Sequence, residues 1–276
     1  MAVMIVIVAI GSLVWRAGSQ VVTGADVPVA VRRKATAWRW GGVVAGVAVA
    51  TTATTWGALG SGLLLGAPLF ALFVLFGVVV GELGIRAPAG STRRAVLTTR
   101  RARDYLPRYL ATALAAEVGV LTVLLVVTTV MGSADDMGRA GRVLTRQCSP
   151  TTSASHGPWA GSFYSVPLAV AVLIGLAVAV IALRRVARRP PPGDPATLIV
   201  ADDLLRRRSA SVVTGACGVL IGIPLIGVSL VNANSLLSVS CHPASWTIAA
   251  WSLIALTPMW VALLAWSGLK VLAPSR

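Results

Sequence analysis

Residues 166–183 read VPLAVAVLIGLAVAVIAL, and residues 184–189, directly after them, read RRVARR. An uncharged apolar run of this length is typical of a transmembrane helix, because about 20 apolar residues are needed to cross the hydrocarbon core of a bilayer. Cytoplasmic loops retain Lys and Arg, so the basic cluster indicates the inner face of the membrane. This stretch therefore predicts an oriented membrane span.

Further apolar stretches of the same kind alternate with polar gaps along the whole chain. Every second gap is basic, and all Lys and Arg residues except Arg139, Arg142 and Arg146 fall in the gaps that this alternation assigns to the inside. The pattern predicts an all-α integral membrane protein, a bundle of about seven transmembrane helices with the N-terminus outside and the C-terminus in the cytoplasm. The predicted spans are residues 1–15, 40–56, 61–83, 109–131, 166–183, 210–231 and 246–269.

The composition leaves room for one membrane domain over residues 1–276. Hydrophobic residues make up 56% of the chain and charged residues 12%, against about 25% charged in soluble domains. The longest polar gap, residues 132–165, is shorter than the ~50 residues of a small soluble domain. The net charge of +15 follows from the inner gaps, which would face anionic lipid heads, so we do not expect nucleic-acid binding. The excess of Arg over Lys is typical of a high-GC bacterium, whose plasma membrane would hold the protein.

A weak internal similarity relates two parts of the chain. At a shift of 99 residues, Asp104 aligns with Asp203 and Arg108 with Arg207, within a longer set of Ala, Val and Leu matches. If the repeat is genuine, spans three and four and spans five and six are two copies of one hairpin in parallel orientation. The biased composition of the chain inflates such matches, so a chance similarity stays open.

Each of these segments carries an acid–base pair beside the membrane. Asp104 precedes Arg108 by four residues and Asp203 precedes Arg207 by four, the spacing that pairs side chains on one helix face. A solvated helix start would explain these charges. The alternative is that Asp104, Arg108, Asp203 and Arg207 dock a cytoplasmic partner.

Two of the three cysteines fall in gaps assigned to the outside. Because that side is oxidising, we predict a disulfide between Cys148 and Cys241, which would join two outer gaps. His156 and His242 share these gaps, and two Cys with two His suit tetrahedral zinc. Their spacing matches no zinc signature, however, and a disulfide would consume the thiolates, so we predict no metal.

One acidic residue lies within a predicted span. Glu117 is eight residues into the fourth span, roughly 12 Å along the helix axis. Ionisable groups are costly at such depth and are typical of functional sites. Glu117 is therefore the candidate intramembrane functional residue. The structural alternatives are that it is simply protonated, or that it bonds to a Ser, Thr or Trp of a neighbouring span.

Glycine and tryptophan positions indicate how the helices pack. The pairs Gly42–Gly46, Gly77–Gly81 and Gly218–Gly222 each put two glycines on one helix face, which favours close packing within the chain or, alternatively, dimerisation. Trp251 and Trp260 lie deep in the last span, and we expect both to face other helices or a cavity.

No catalytic or nucleotide-binding motif is evident in the sequence, and we predict no cofactor. We expect a non-enzymatic permease-like subunit, or an accessory or scaffold component of a membrane complex. Its expected partners are the lipid bilayer and either a cytoplasmic ATPase or another membrane subunit, and a homo-oligomer stays open. The alternative is a membrane-embedded enzyme that acts on lipid or envelope precursors through Glu117 or the outer His and Cys residues.

Overall fold

The computed structural model describes residues 29–55, 61–83, 104–188 and 196–272. These residues are mostly helical, and one short β-hairpin interrupts the helices. The elements in chain order are α1 Val29–Thr55, α2 Ser61–Leu83, α3 Arg108–Met131, β1 Leu144–Ser149, β2 Thr152–His156, α4 Ser162–Ala187, α5 Ala196–Ser238 and α6 Ala244–Leu272.

Four helices are long and apolar enough to cross a membrane. They are α3, α4, residues 206–238 of α5, and α6, while α2 contributes a shorter apolar segment, Gly66–Gly81. These helices indicate membrane insertion, as the sequence predicts. The described ranges hold six helices, so they do not match the predicted count of seven. The first predicted span, residues 1–15, lies outside the described residues.

The predicted spans agree most closely with the observed helix boundaries where a glycine or proline borders the apolar run. The span 61–83 coincides with α2, and the span 109–131 begins one residue after α3 does. The span 210–231 lies within the longer helix α5, which begins at Ala196 and continues through the polar residues 202–208. No proline interrupts residues 196–223, so the helix extends beyond its apolar part.

Helix α5 is the centre of the bundle. It packs against α2, α3, α4 and α6, and its apolar segment is far more buried than those of α3, α4 and α6. Val212, Val213 and Leu220 of α5 are fully buried in the core shared with α2 and α4. The surrounding helices instead present apolar side chains outward, which suits contact with lipid tails. Examples are Val130 at 80% exposure, Leu173 at 65% and Ile248 at 68%.

Helices α1 and α2 approach each other through glycine. A Cβ atom on Gly42 would lie 2.7 Å from the Phe73 carbonyl oxygen, and one on Gly77 would lie 2.6 Å from the Trp38 carbonyl oxygen. A Cβ on Gly218 would overlap Ser267 of α6. The predicted packing within the chain is therefore confirmed at these glycines, since any side chain there would separate the helices.

The two ends of the bundle differ in chemistry. Helix α3 ends where α4 begins, and Thr129 Oγ1 lies 2.6 Å from Ser165 Oγ at this junction. The connection between α5 and α6 lies at the same end. The opposite end, which we call the basic end, carries Arg108, Arg184, Arg185, Arg188, Arg206, Arg207, Arg208 and Lys270.

A β-hairpin covers the other end, and the all-α prediction is wrong there. Strands β1 and β2 pair antiparallel, with Leu144 opposite His156 and a bulge between Gln147 and Ser149. We call residues 132–161 together with residues 239–243 the cap. Strand β2 reads TSASH and buries no large apolar side chain, so the alternation that usually reveals a strand is absent.

The internal repeat stays a prediction. Helices α4 and α5 pack against each other, as one hairpin copy requires. Within the described ranges α2 instead packs on α1, α4 and α5, and it forms no comparable interface with α3. The two proposed copies therefore do not share one helix-pair geometry.

Candidate functional site

A groove opens at the basic end, where the start of α3 meets α5. Its volume is about 730 Å³, and it is lined by Asp104, Leu106, Pro107, Arg108, Tyr109 and Arg207. We call it the basic-end groove. It brings together three of the four residues predicted to dock a partner, because the segment before α3 lies beside the polar part of α5.

The turn that forms one wall of the groove is anchored by an aromatic side chain. Tyr105 is 8% exposed and packs with Ala187 of α4 and Ala210 of α5. Helix α3 starts directly after Pro107, whose carbonyl oxygen accepts a hydrogen bond from the Ala111 amide at 2.9 Å. Because Tyr105 is buried, it fixes the positions of Asp104 and Arg108 in the lining of the groove.

The predicted pairing of Asp104 with Arg108 on one helix is wrong. Asp104 has 3-10 conformation and is separated from α3, which begins at Arg108. The reason is Pro107, which has no amide hydrogen and disfavours a helical conformation at the residue before it. The second predicted pair is confirmed, since Asp203 and Arg207 both lie in α5 with Arg207 Nε 3.3 Å from Asp203 Oδ2. Both side chains are exposed, so this ion pair contributes little stability.

A neighbouring arginine has the structural role at this end. Arg206 is fully buried, and its Nη1 donates hydrogen bonds to the carbonyl oxygens of Val186 at 3.0 Å and Ala187 at 2.8 Å. These carbonyls end α4, where backbone acceptors lack partners within their own helix. Arg206 therefore joins α4 to α5 and fixes the position of Arg207. In the sequence it is one of three consecutive arginines, and nothing there distinguishes it.

Glu117 lies inside the bundle, as its position in the sequence predicts. It is 2% exposed and shares the buried face of α3 with Leu110, Leu121, Leu125 and Thr128. Its Oε1 atom has no hydrogen-bond partner in the part of the chain that the structure describes. A carboxyl oxygen in this position is an unusual and costly feature.

The two cysteines of the cap lie at disulfide distance. The Cα atoms of Cys148 and Cys241 are 5.8 Å apart, so the bridge joins the hairpin to the connection between α5 and α6. A second contact spans the same junction, because the Arg146 guanidinium lies 5.4 Å from the centre of the Trp246 ring. The sequence predicts the first contact but not the second.

Buried hydrogen bonds seat the cap on the helices. Trp159 is 2% exposed, and its Nε1 donates to the Thr128 carbonyl oxygen at 2.7 Å. The Ala160 amide donates to Asn232 Oδ1 at 3.1 Å, and Ser235 Oγ donates to the Pro158 carbonyl oxygen at 2.8 Å. The cap is thus a fixed part of the bundle.

An acid–base network involves two of the three arginines that break the charge pattern. Asp135 Oδ2 accepts a hydrogen bond from Arg139 Nε at 2.8 Å and one from Arg142 Nη1. Burial raises the pKa of the Asp135 carboxyl, but hydrogen bonds from the Arg139 amide and from the Arg142 and Arg139 side chains outweigh it and lower the pKa to about 2. The carboxylate therefore stays charged and neutralises basic residues of the cap.

The two histidines do not converge on the cysteines. His156 Nε2 is 3.5 Å from Asn234 Nδ2, and His242 Nδ1 is 2.9 Å from the Val239 carbonyl oxygen. Across the described ranges, no three His, Cys, Asp or Glu side chains come together as metal ligands.

Comparison with known protein families, with characterised proteins and with solved structures finds no match. The described residues form a helical bundle with four helices that could cross a membrane, a groove at one end, a buried carboxyl in the bundle and a cap at the other end. These three features are the basis for the functional assignment.

Proposed function

We propose that this chain is a non-enzymatic, permease-like subunit or scaffold of a plasma-membrane complex, and that the basic-end groove docks a cytoplasmic ATPase. The observation that carries the proposal is the convergence of Asp104, Arg108 and Arg207 in one groove. These residues come from two charged segments that are far apart in the sequence. A shared docking site would explain why both segments carry these charged residues.

The groove has the character of a protein-binding surface. Arg and Tyr are the residue types most enriched at the centres of interfaces, and Tyr109 is 86% exposed beside Arg108. Tyr105 and Arg206 hold the walls in place, so docking costs little ordering of this chain. The net positive charge of the basic end favours a partner surface rich in Asp and Glu, because complementary charge speeds association and selects partners.

The proposal includes an orientation. The basic end lies in the cytoplasm and the cap outside, with residues 1–15 as a seventh span whose N-terminus is also outside. The positive-inside rule supports this assignment, and so does the position of Cys148 and Cys241 at the end opposite the arginines, since disulfides persist on the oxidising side.

The test is purification of the tagged full-length protein from its native membrane in a gentle detergent, with mass spectrometry of the proteins that come with it. We expect stoichiometric recovery of an ATPase. Arg108→Glu and Arg207→Glu should each reduce that recovery at least tenfold. Arg185→Glu is the matched control, because Arg185 is an exposed residue of the basic end outside the groove.

Two results would contradict the proposal. Equal recovery of the ATPase with all three variants would remove the groove as the docking site. Recovery of the chain alone would remove the subunit assignment and favour an enzyme that acts on lipid or envelope precursors. In that case Glu117→Gln should abolish an activity without lowering expression.

A further inference from the structure

The buried carboxyl of Glu117 is a second site, separate from the groove. Helix α3 begins at Arg108 and ends at Met131, so Glu117 lies about 13 Å from the basic end and about 21 Å from the cap end at 1.5 Å per residue. It is 2% exposed, and Oε1 has no hydrogen-bond partner among the described residues. Neither the docking role proposed for the groove nor the packing of the cap therefore explains why a carboxyl is buried at this position.

Apolar side chains close the site on the side of the cap. Leu121 and Leu125 of α3 belong to one buried cluster with Ile221, Leu225 and Trp260. The cap covers the bundle beyond this cluster and is held there by Trp159 and the cysteine pair. Toward the basic end the distance to water is shorter, and the next buried residue of the same face is Leu110. Exchange with water is thus favoured from the basic end.

No charged group pairs with Glu117 in the described part of the chain. The charged residues of α4 are Arg184 and Arg185, at the basic end of that helix. Lys270 is near the same end of α6. In α5 the charged residues lie in 202–208, again at the basic end. The titratable group in the apolar part of α5 is the buried thiol of Cys217. Residues 61–81 of α2 include no charged residue, and Glu82 is the penultimate residue of that helix. The basic residues of α1 lie near its start.

We propose that Glu117 is a proton-binding site that exchanges its proton with water at the basic end. An unpaired carboxylate among apolar side chains is far more costly than the neutral acid. Binding transfers one proton from hydronium to the carboxylate and leaves water, and release reverses that step. The ligand is the proton itself, and no other bond changes. If the chain is a permease-like subunit with the orientation proposed above, the protonation of Glu117 would follow the cytoplasmic proton concentration.

The test is the reaction of the full-length protein with dicyclohexylcarbodiimide, an apolar reagent that modifies neutral carboxyls within membranes. We expect Glu117 to be modified, as located by peptide mass spectrometry. Above the midpoint of its titration the rate should fall about tenfold per pH unit, because the neutral fraction falls by that factor. A water-soluble carbodiimide should modify exposed Asp203 and leave Glu117 unmodified.

Glu117→Gln should remove the modification, and Glu117→Asp should retain it. Gel filtration of both variants establishes that they are folded. A rate that does not depend on pH, or no reaction at all in the folded protein, would overturn the proposal, since a sealed structural carboxyl gives one of these results. Protection by added Na⁺ at constant pH would overturn it too, by making the ligand a metal cation. Recovery of the cytoplasmic partner should not change in Glu117→Gln, so this site and the docking groove can fail independently.

Discussion

At the scale of single residues, Arg206 and Asp135 are two charged side chains of opposite sign that are both shielded from water. Arg206 is fully buried at the basic end and satisfies the carbonyls that end α4. Asp135 is in the cap and accepts hydrogen bonds from Arg139 and Arg142. Each is surrounded by partners, and this is the condition under which charges are tolerated away from water. Glu117 is the exception, which is why a ligand is proposed for it.

Arg206→Leu should destabilise the bundle. Hydrogen bonds to charged groups contribute about 1.5–3 kcal/mol each, and the substitution removes the guanidinium donor from the carbonyl oxygens of Val186 and Ala187. We expect the free energy of unfolding to fall by about 2–4 kcal/mol, as measured by denaturant titration in detergent micelles. Arg207→Leu is the control, because its side chain is exposed and it should change stability by less than about 0.5 kcal/mol. Equal effects of the two substitutions would contradict the assigned role of Arg206.

The cap should become less stable in acid. The ordinary pKa of the Asp135 carboxyl is 3.8, and its hydrogen bonds lower it to about 2 in the folded protein. A group whose pKa is lowered by folding contributes its full stability above the unfolded value and loses it as the pH falls to the folded value. Pepsin cleavage within the cap should therefore rise between about pH 4 and about pH 2, relative to cleavage of the unfolded chain. Asp135→Asn should remove this rise, whereas Asp136→Asn should keep it.

At the scale of helices and strands, the apolar runs and the helix segment with Asp203 and Arg207 were predictable, whereas the polar hairpin was not. The span 61–83 coincides with α2 because apolar residues fill it. The hairpin was missed because its strands are rich in Ser and Thr and have few buried positions. Trp260 is 5% exposed, as predicted, but Trp251 is 59% exposed, so its prediction was wrong. The sequence gives the depth of an indole in the membrane but not the side of the helix that meets a neighbour.

The contact of α1 with α2 provides a prediction with a matched control. Gly42→Leu should separate these helices, because a Cβ there would already lie 2.9 Å from the Gly77 Cα atom. Overpacking of this kind costs about 1–3 kcal/mol. Gly41→Leu should be tolerated, since nothing lies within 4 Å of a Cβ at Gly41. Thermal unfolding of both variants in the same detergent tests the pair, and similar melting temperatures would refute the contact.

The cysteine pair should stabilise the cap without being needed to form it. In the chain-entropy model, closing a loop of 93 residues contributes about 4.6 kcal/mol. Cys148→Ser should therefore lower the melting temperature and add one free thiol under non-reducing conditions. Trp159 and its buried hydrogen bond should keep the cap seated, so hydrogen exchange at the Ala160 amide should stay slow. Cys217→Ser, at a free and buried cysteine, should leave the electrophoretic mobility unchanged.

At the scale of the whole molecule, the sequence and the structure contribute different parts of the candidate sites. Charge patterning alone selected Asp104, Arg108 and Arg207, and the structure places them in one groove. The four-residue spacing of Asp104 and Arg108 predicted a shared helix, but Pro107 lies between them and α3 begins only after it. The depth of Glu117 followed from counting residues. The lack of a partner for its Oε1 depends on the packing of other helices and was not predictable.

The proposed orientation can be measured in intact cells. On a Cys217→Ser background, Ser153→Cys in the cap should react with a membrane-impermeant maleimide from outside. Arg185→Cys at the basic end should react only after the membrane is opened. The physical reason is the positive-inside rule, which retains the arginines in the cytoplasm. Labelling of Arg185→Cys in intact cells would invert the assigned orientation.

The bridge between Cys148 and Cys241 also closes residues 148–241 into a covalent ring. Helices α4 and α5 both lie within residues 148–241. The backbone and the bridge therefore form an unbroken covalent loop that contains both helices. A protease that cuts after Arg188 would open one side of that ring and release nothing. The nicked protein would migrate as one species until a reductant separates two fragments, each with one membrane-inserted half of the bundle.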